Sequence, residues 1–168
     1  MKIGQYMTRP VITITPETPF RRGLDLMCHH GFHHLPIVEN DRVTGIVART
    51  DLLLAAANFG SAEVPVAEIA RNTPVCVTEN VELKHAIRLL LKHRIGCLPI
   101  LNTRKQLVGI ITETDIFKIA AGMLHARTTA KQPAAKGAKK VAKKAAKKVA
   151  KKTAAKKATA KKAAKKKA

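Results

Sequence analysis

The chain has 168 residues and a formal net charge of +21, and that charge is unevenly placed. Residues 1–126 carry 14 Lys and Arg against 11 Asp and Glu, whereas residues 127–168 carry 17 Lys, one Arg and no acid. The first segment is rich enough in apolar residues for a core of moderate size; the second offers only alanine and two valines, which excludes a second globular domain. Cys28, Cys76 and Cys97 have no CxxC spacing, which argues against a disulfide framework and for reduced, buried thiols. There is no continuous apolar run at the N-terminus, and Leu52 to Ala57 is too short to cross a bilayer. The expectation is a soluble, cytoplasmic protein without membrane insertion.

In chain order, Val11–Thr15 is a β-branched run closed by Pro16 and predicts a short strand. Phe20, Leu24 and Met27 recur at helical spacing and predict an amphipathic helix, with Glu17 supplying early negative charge. Gly31 predicts its C-terminal cap. Strands are predicted at Leu35–Val38 and Val43–Val47, joined by a polar turn at Glu39–Arg42. A helix then runs from about Thr50 to Asn58, with Thr50 as its N-cap. Gly60 to Pro65 reads as a linker.

The same order then returns. A strand at Val75–Thr78 precedes a helix whose apolar face is Leu83, Ile87, Leu90 and Leu91. Strands follow at Leu98–Leu101 and Leu107–Ile111, and a last helix at Thr114–Leu124 has Thr114 as its N-cap. Leu35-Pro36-Ile37 and Gly45 through Asp51 are matched by Leu98-Pro99-Ile100 and Gly109 through Asp115. The glycines and the aspartates are each 64 residues apart and the prolines 63. A period of this length predicts two units that complete one core by stacking. The spans are 1–60 for the first copy, 61–126 for the linker and second copy, and 127–168 for the tail. The predicted fold class is α/β (α+β), β-α-β-β-α twice, with a disordered polycationic tail.

Asp51 and Asp115 carry the first chemical signal. An ionised carboxylate is a pure acceptor suited to a pair of donor hydroxyls, and a helix start offers free backbone N–H groups to an anion. The bland alternative is that both aspartates stabilise helix starts, by a few tenths to about 1 kcal/mol each.

Tyr6-Met7-Thr8, Pro10 through Pro16, His34-Leu35-Pro36-Ile37-Val38 and Gly45 through Asp51 together resemble a CBS domain, and the second copy resembles another. The chain over roughly 1–125 is therefore similar to a CBS pair, or Bateman module. The resemblance implies two repeats packed about a pseudo-twofold axis, with two clefts that bind AMP, ADP, ATP or S-adenosylmethionine. It implies a regulatory protein rather than an enzyme, with no obligatory cofactor. Matched to the family pattern, Gly109, Thr112 and Asp115 are complete in copy two. Copy one has Gly45 and Asp51 but Ala48 in place of the hydroxyl, so the nucleotide is expected at Asp115 first. Thr15 and Thr78 match hydroxyls at the end of the opening strand, and Pro36-Ile37 and Pro99-Ile100 match the apolar wall against adenine. Asp115→Ala is expected to weaken binding and leave the fold intact.

His29 and His33 would lie i, i+4 on one helix face, a spacing that can share a metal. Gly31 interrupts that helix, so no metal site is expected. There is no Gly-x-Ser-x-Gly, no phosphate-binding glycine loop and no carboxylate pair set in a plausible pocket to support catalysis.

The tail is the second signal. Its lysine pairs, Lys139, Lys140, Lys143, Lys144, Lys147, Lys148, Lys151, Lys152, Lys156, Lys157, Lys161 and Lys162, with Lys165 and Lys166, lie in nearly pure Ala and Lys. In composition this resembles the terminal domain of linker histone H1 and bacterial histone-like proteins. A four-residue repeat drifts around a helix of 3.6 residues per turn, which argues against a membrane-lying amphipathic helix. With no aromatic residues to stack on bases, the tail is expected to bind DNA or RNA backbones without sequence preference. The combined expectation is a nucleotide-sensing homodimer held on nucleic acid and associated with the nucleoid. The alternatives are a structural nucleoid protein whose CBS pair only dimerises, or a regulatory subunit of a separate enzyme or transporter.

Overall fold

The computed structural model describes residues 1–126. Copy one comprises helix α1 (Phe20–His30), strands β1 (His34–Glu39) and β2 (Arg42–Ala48), and helix α2 (Arg49–Phe59). Copy two comprises β3 (Val77–Thr78), α3 (Leu83–His93), β4 (Cys97–Leu101), β5 (Leu107–Thr112) and α4 (Glu113–Ala120). The expected mixed class is present. β1 and β2 are antiparallel, as are β4 and β5, and β3 joins β4 in parallel.

The opening strand is shorter than its β-branched run predicts. In copy one it shrinks to a parallel bridge between Ile14 and Ile37, held by Ile14 N–H to Pro36 O at 3.1 Å and Val38 N–H to Ile14 O at 2.9 Å. Prolines bracket the run at 10 and 16, and a proline nitrogen cannot donate to a ladder. In copy two, Pro74 stands just ahead of the run and only Val77–Thr78 pair.

α1 ends as expected at Gly31, whose φ of 72° is left-handed and whose N–H returns to Met27 O. α3 ends the same way on Arg94, φ 51°, a conformation that costs a residue bearing a Cβ. Its buried stripe is Leu83, Ala86 and Leu90, with Ile87 partly buried. Leu91 is a correction: it is 73% exposed, because it lies one helical step of 100° beyond Leu90.

The caps of the two late helices are also corrected. α2 begins at Arg49 and α4 at Glu113, so the N-caps are Ala48 and Thr112, not Thr50 and Thr114. The strand itself turns into the helix. Ala48 and Thr112 still pair with His34 and Cys97 in the sheet, and the next amides donate across it, Arg49 to His33 O at 2.8 Å and Glu113 to Gly96 O at 3.1 Å. Asp51 and Asp115 therefore occupy N3.

The leading segments are exchanged between copies. Ile3, Tyr6 and Met7, at the start of the chain, are buried in the core of copy two with Val77, Leu90, Leu98 and Ile111. Val66, with Val64, Ile69 and Ala70 around it, packs in the core of copy one with Phe20, Met27, Leu35 and Val47. Backbone pairing fixes the exchange. Ile3 N–H donates to Val81 O at 2.9 Å, and Phe20 N–H donates to Val64 O at 2.9 Å. As sequence, the spans 1–60 and 61–126 are contiguous copies; as packed cores, each includes a segment from the other span. The stretch after Gly60 is thus core material from Val64 onward.

Candidate functional site

Each motif aspartate sits where an antiparallel strand hands over to a helix, and the two helix starts differ. In copy two, Asp115 Oδ2 accepts from Thr112 N–H at 2.9 Å and from Thr112 Oγ1 at 2.8 Å. Thr112 Oγ1 in turn accepts from Asp115 N–H at 3.3 Å. Carboxylate and hydroxyl thus form a reciprocal capping box. Asp115 Oδ1 receives Thr8 Oγ1 at 3.5 Å, and the residue is buried at 7% exposure. In copy one, Asp51 Oδ2 accepts only Ala48 N–H, at 3.3 Å, and Asp51 is partly buried. Ala48 has no oxygen to return the bond.

The motif glycines face protein. A Cβ on Gly109 would overlap Met7 Sδ and stand 2.8 Å from Met7 Cγ; a Cβ on Gly45 would stand 3.2 Å from Arg71 O. Both are bare so that the exchanged leading segment can lie directly on β5 or β2. Ile37 and Ile100 are core residues, 2% and 0% exposed, and Pro36 and Pro99 are buried between them and their strand partners.

Thr15 and Thr78 stand at the far end of their strands from the aspartates. Thr78 pairs with Leu101, four residues along β4 from Cys97 and so about 13 Å from the Asp115 end. Thr15 Oγ1 lies 3.2 Å from Thr18 Oγ1. The fold does not bring either threonine to the aspartate of its own copy. The lysines from Lys139 onward lie outside the described residues.

The seam between copies joins residues that sequence spacing does not connect. A Cβ on Gly96 would stand 2.7 Å from His34 Cε1 and 3.0 Å from His34 Nε2, with Glu113 Oε2 at 3.7 Å. The imidazole of copy one thus lies against the copy-two backbone where α4 begins. Burial holds the pKa of His34 below its ordinary value and the His33 charge adds to this, while the carboxylates of Glu113 and Asp51 oppose it. Burial pushes the Cys97 thiol up to about 12, with Cys76 and Glu113 contributing, so it is no nucleophile at neutral pH. Among the described residues no group of three or more His, Cys, Asp or Glu could hold a metal, and no helix is long and apolar enough to cross a membrane.

Sequence reasoning did not identify Thr8 or Arg71 as site residues. Thr8 exchanges backbone hydrogen bonds with Ile110 at 2.8 and 3.1 Å, and Arg71 exchanges them with Ile46 at 3.0 and 3.1 Å. Ile46 and Ile110 are equivalent positions, so Thr8 and Arg71 are equivalent too, and Thr8 lies beside the aspartate of the other span.

This doubled unit has exchanged leading segments and a carboxylate at each late helix start, the architecture of a paired-repeat module. The CBS domain family profile matches residues 3–58 and 66–122, and the chain belongs to that family. A curated relative, the inosine-5′-monophosphate dehydrogenase of Thermoplasma acidophilum, is 36% identical over 109 residues. That alignment covers 65% of this chain but 21% of the dehydrogenase, so the shared part is a fraction of that enzyme. Among solved structures, the CBS domain pair of protein MJ0100 in complex with 5′-methylthioadenosine and S-adenosyl-L-methionine matches with a TM-score of 0.67 at 23% identity. It covers 73% of this chain and 97% of that one. CBSX2 in complex with AMP matches with a TM-score of 0.65 at 24% identity, covering 73% and 97%. At these identities the two structures establish the fold.

Proposed function

We propose that this protein is a regulatory CBS pair that binds an adenine-containing ligand at Asp51 and Asp115 and is held on nucleic acid by its Lys/Ala tail. The observation that supports the first half most directly is the repeated carboxylate at N3 of a helix, with Thr8 of the first span beside Asp115 of the second. A carboxylate there accepts from ribose hydroxyls, which at Asp115 would replace the long bond from Thr8. The ligands of the MJ0100 pair and of CBSX2 share the adenosine unit, which supports that class for this chain. Thr15, Thr78 and the proline–isoleucine pairs would contribute less than the seam residues, because they lie in the core or at the far strand ends.

The test is calorimetry of the full chain with AMP, ADP, ATP and S-adenosylmethionine, repeated on Asp51→Asn and Asp115→Asn. Binding that one or both variants weaken supports the reading. Heats that neither variant changes would refute cleft binding.

The 17 lysines without an acid beyond residue 126 support the second half. A gel shift comparing the full chain with a chain ending at Ala126 tests it, and an equal shift from both would exclude the tail. Leu53 and Leu54 on α2 and Phe117 on α4 are exposed, which supports a homodimer that would present two tails at raised effective concentration. On this reading the protein is cytoplasmic and nucleoid-associated. If the tail binds but no nucleotide does, the structural nucleoid protein becomes the better description.

A further inference from the structure

The pseudo-symmetry of the seam exposes a difference in chemistry between the clefts. Thr8 and Arg71 hold the same hydrogen-bonded antiparallel register, Thr8 on Ile110 and Arg71 on Ile46. In such a pair the two side chains leave the same face of the ladder, so equivalent pairing directs Arg71 as it directs Thr8. The Thr8 hydroxyl reaches Asp115 Oδ1 at 3.5 Å. Arg71 is exposed, and its own carbonyl packs over Gly45, as Met7 packs over Gly109. The backbone pairing therefore starts the Arg71 side chain on the side of β2 that corresponds to the Thr8 side of β5. The copies differ at a second equivalent position: His34 in copy one stands where copy two has Cys97, each opposite the last strand residue, Ala48 or Thr112. Copy one lacks a hydroxyl at position 48, and the segment of the other span paired to its β2 carries an arginine at position 71 where Thr8 stands in the equivalent pairing.

We propose that Arg71 makes the Asp51 cleft the one that takes a phosphate-bearing adenosine, while the Asp115 cleft, with Thr8 and Thr112, takes an adenosine without phosphate. This rests on the adenosine reading above. A guanidinium matches phosphate with two parallel N–H donors, whereas a threonine hydroxyl offers one neutral donor. The missing hydroxyl of Ala48, which reads from sequence as a defect on the phosphate side, is thereby offset from the other span.

The experiment is calorimetry of the full chain with AMP and with adenosine, on the native protein, Arg71→Gln, Thr8→Arg, Asp51→Asn and Asp115→Asn. The tail is present in every variant, so its attraction for phosphate is a constant background. Arg71→Gln is expected to weaken AMP binding about tenfold or more and to leave adenosine within about twofold. Thr8→Arg is expected to add AMP affinity at the second cleft. If Asp51→Asn removes AMP binding while Arg71→Gln leaves it unchanged, the nucleotide reading stands and the role of Arg71 is overturned. Equal losses of AMP and adenosine in Arg71→Gln would also overturn it. If the native protein binds neither ligand above what Asp51→Asn and Asp115→Asn retain, both readings fall together.

Discussion

Ala48 and Thr112 occupy one position in the two copies, and the hydroxyl at the second changes what its aspartate does. The Thr112 hydroxyl accepts from the Asp115 amide and donates a hydrogen bond to the carboxylate, while the Ala48 side chain can do neither. Ala48→Thr should therefore raise stability by about 0.5–1 kcal/mol and Thr112→Ala should lower it by about 1 kcal/mol, read from urea midpoints. The expectation that Asp115→Ala leaves the fold intact gives way to a cost of about 1–3 kcal/mol, because that variant orphans a buried cap. Asparagine is the better probe of binding there.

His34 supplies a pH prediction at the same scale. Its folded pKa lies below the ordinary 6.5, chiefly through burial, so between the two values the unfolded chain binds more protons than the folded one. Stability is then full above about 6.5 and declines as pH falls toward the lowered folded value, levelling off below it. His34→Gln should flatten this decline in urea titrations across that range. A decline identical to the native protein's would assign it to other groups.

At the scale of elements, the exchanged leading segments make each copy dependent on the other. Ile3 is fully buried although it is the third residue of the chain, and it packs with residues from Val77 to Ile111. Ile3→Ala should cost about 2–4 kcal/mol in chemical unfolding, where a frayed terminus would register nothing. Copy one's opening strand shows the opposite balance. Its β-branched residues read as a strand, yet the flanking prolines leave one bridge, at Ile14.

For the whole molecule, charge is divided as +3 over residues 1–126 and +18 over 127–168, and the proposed nucleic-acid binding rests on the second part. If about eight tail lysines engage phosphates, nucleic-acid affinity should fall roughly three to five decades between about 50 and 200 mM salt. A gel-shift or anisotropy series measures that slope, and a flat one would rule out counterion release as the driving term. Ligand state alters nucleic-acid binding only if the ligand discriminates between two arrangements that display the tails differently.

The amino-acid sequence by itself determined the doubled α-β-β-α order, the correspondence of Asp51 with Asp115, the absence of a hydroxyl at 48 and the polycation beyond residue 126. These are local patterns or their repetition, and periodicity and composition express them directly. Which leading segment faces which carboxylate was decided only by the tertiary structure. The bond from Thr8 to Asp115 spans 107 positions, and Arg71 reaches Ile46 across the boundary between copies. A repeat states that two units are alike. Whether each completes itself or its neighbour depends on where the buried faces of Ile3 and Val66 find the larger apolar surface, and that is settled only when both cores close.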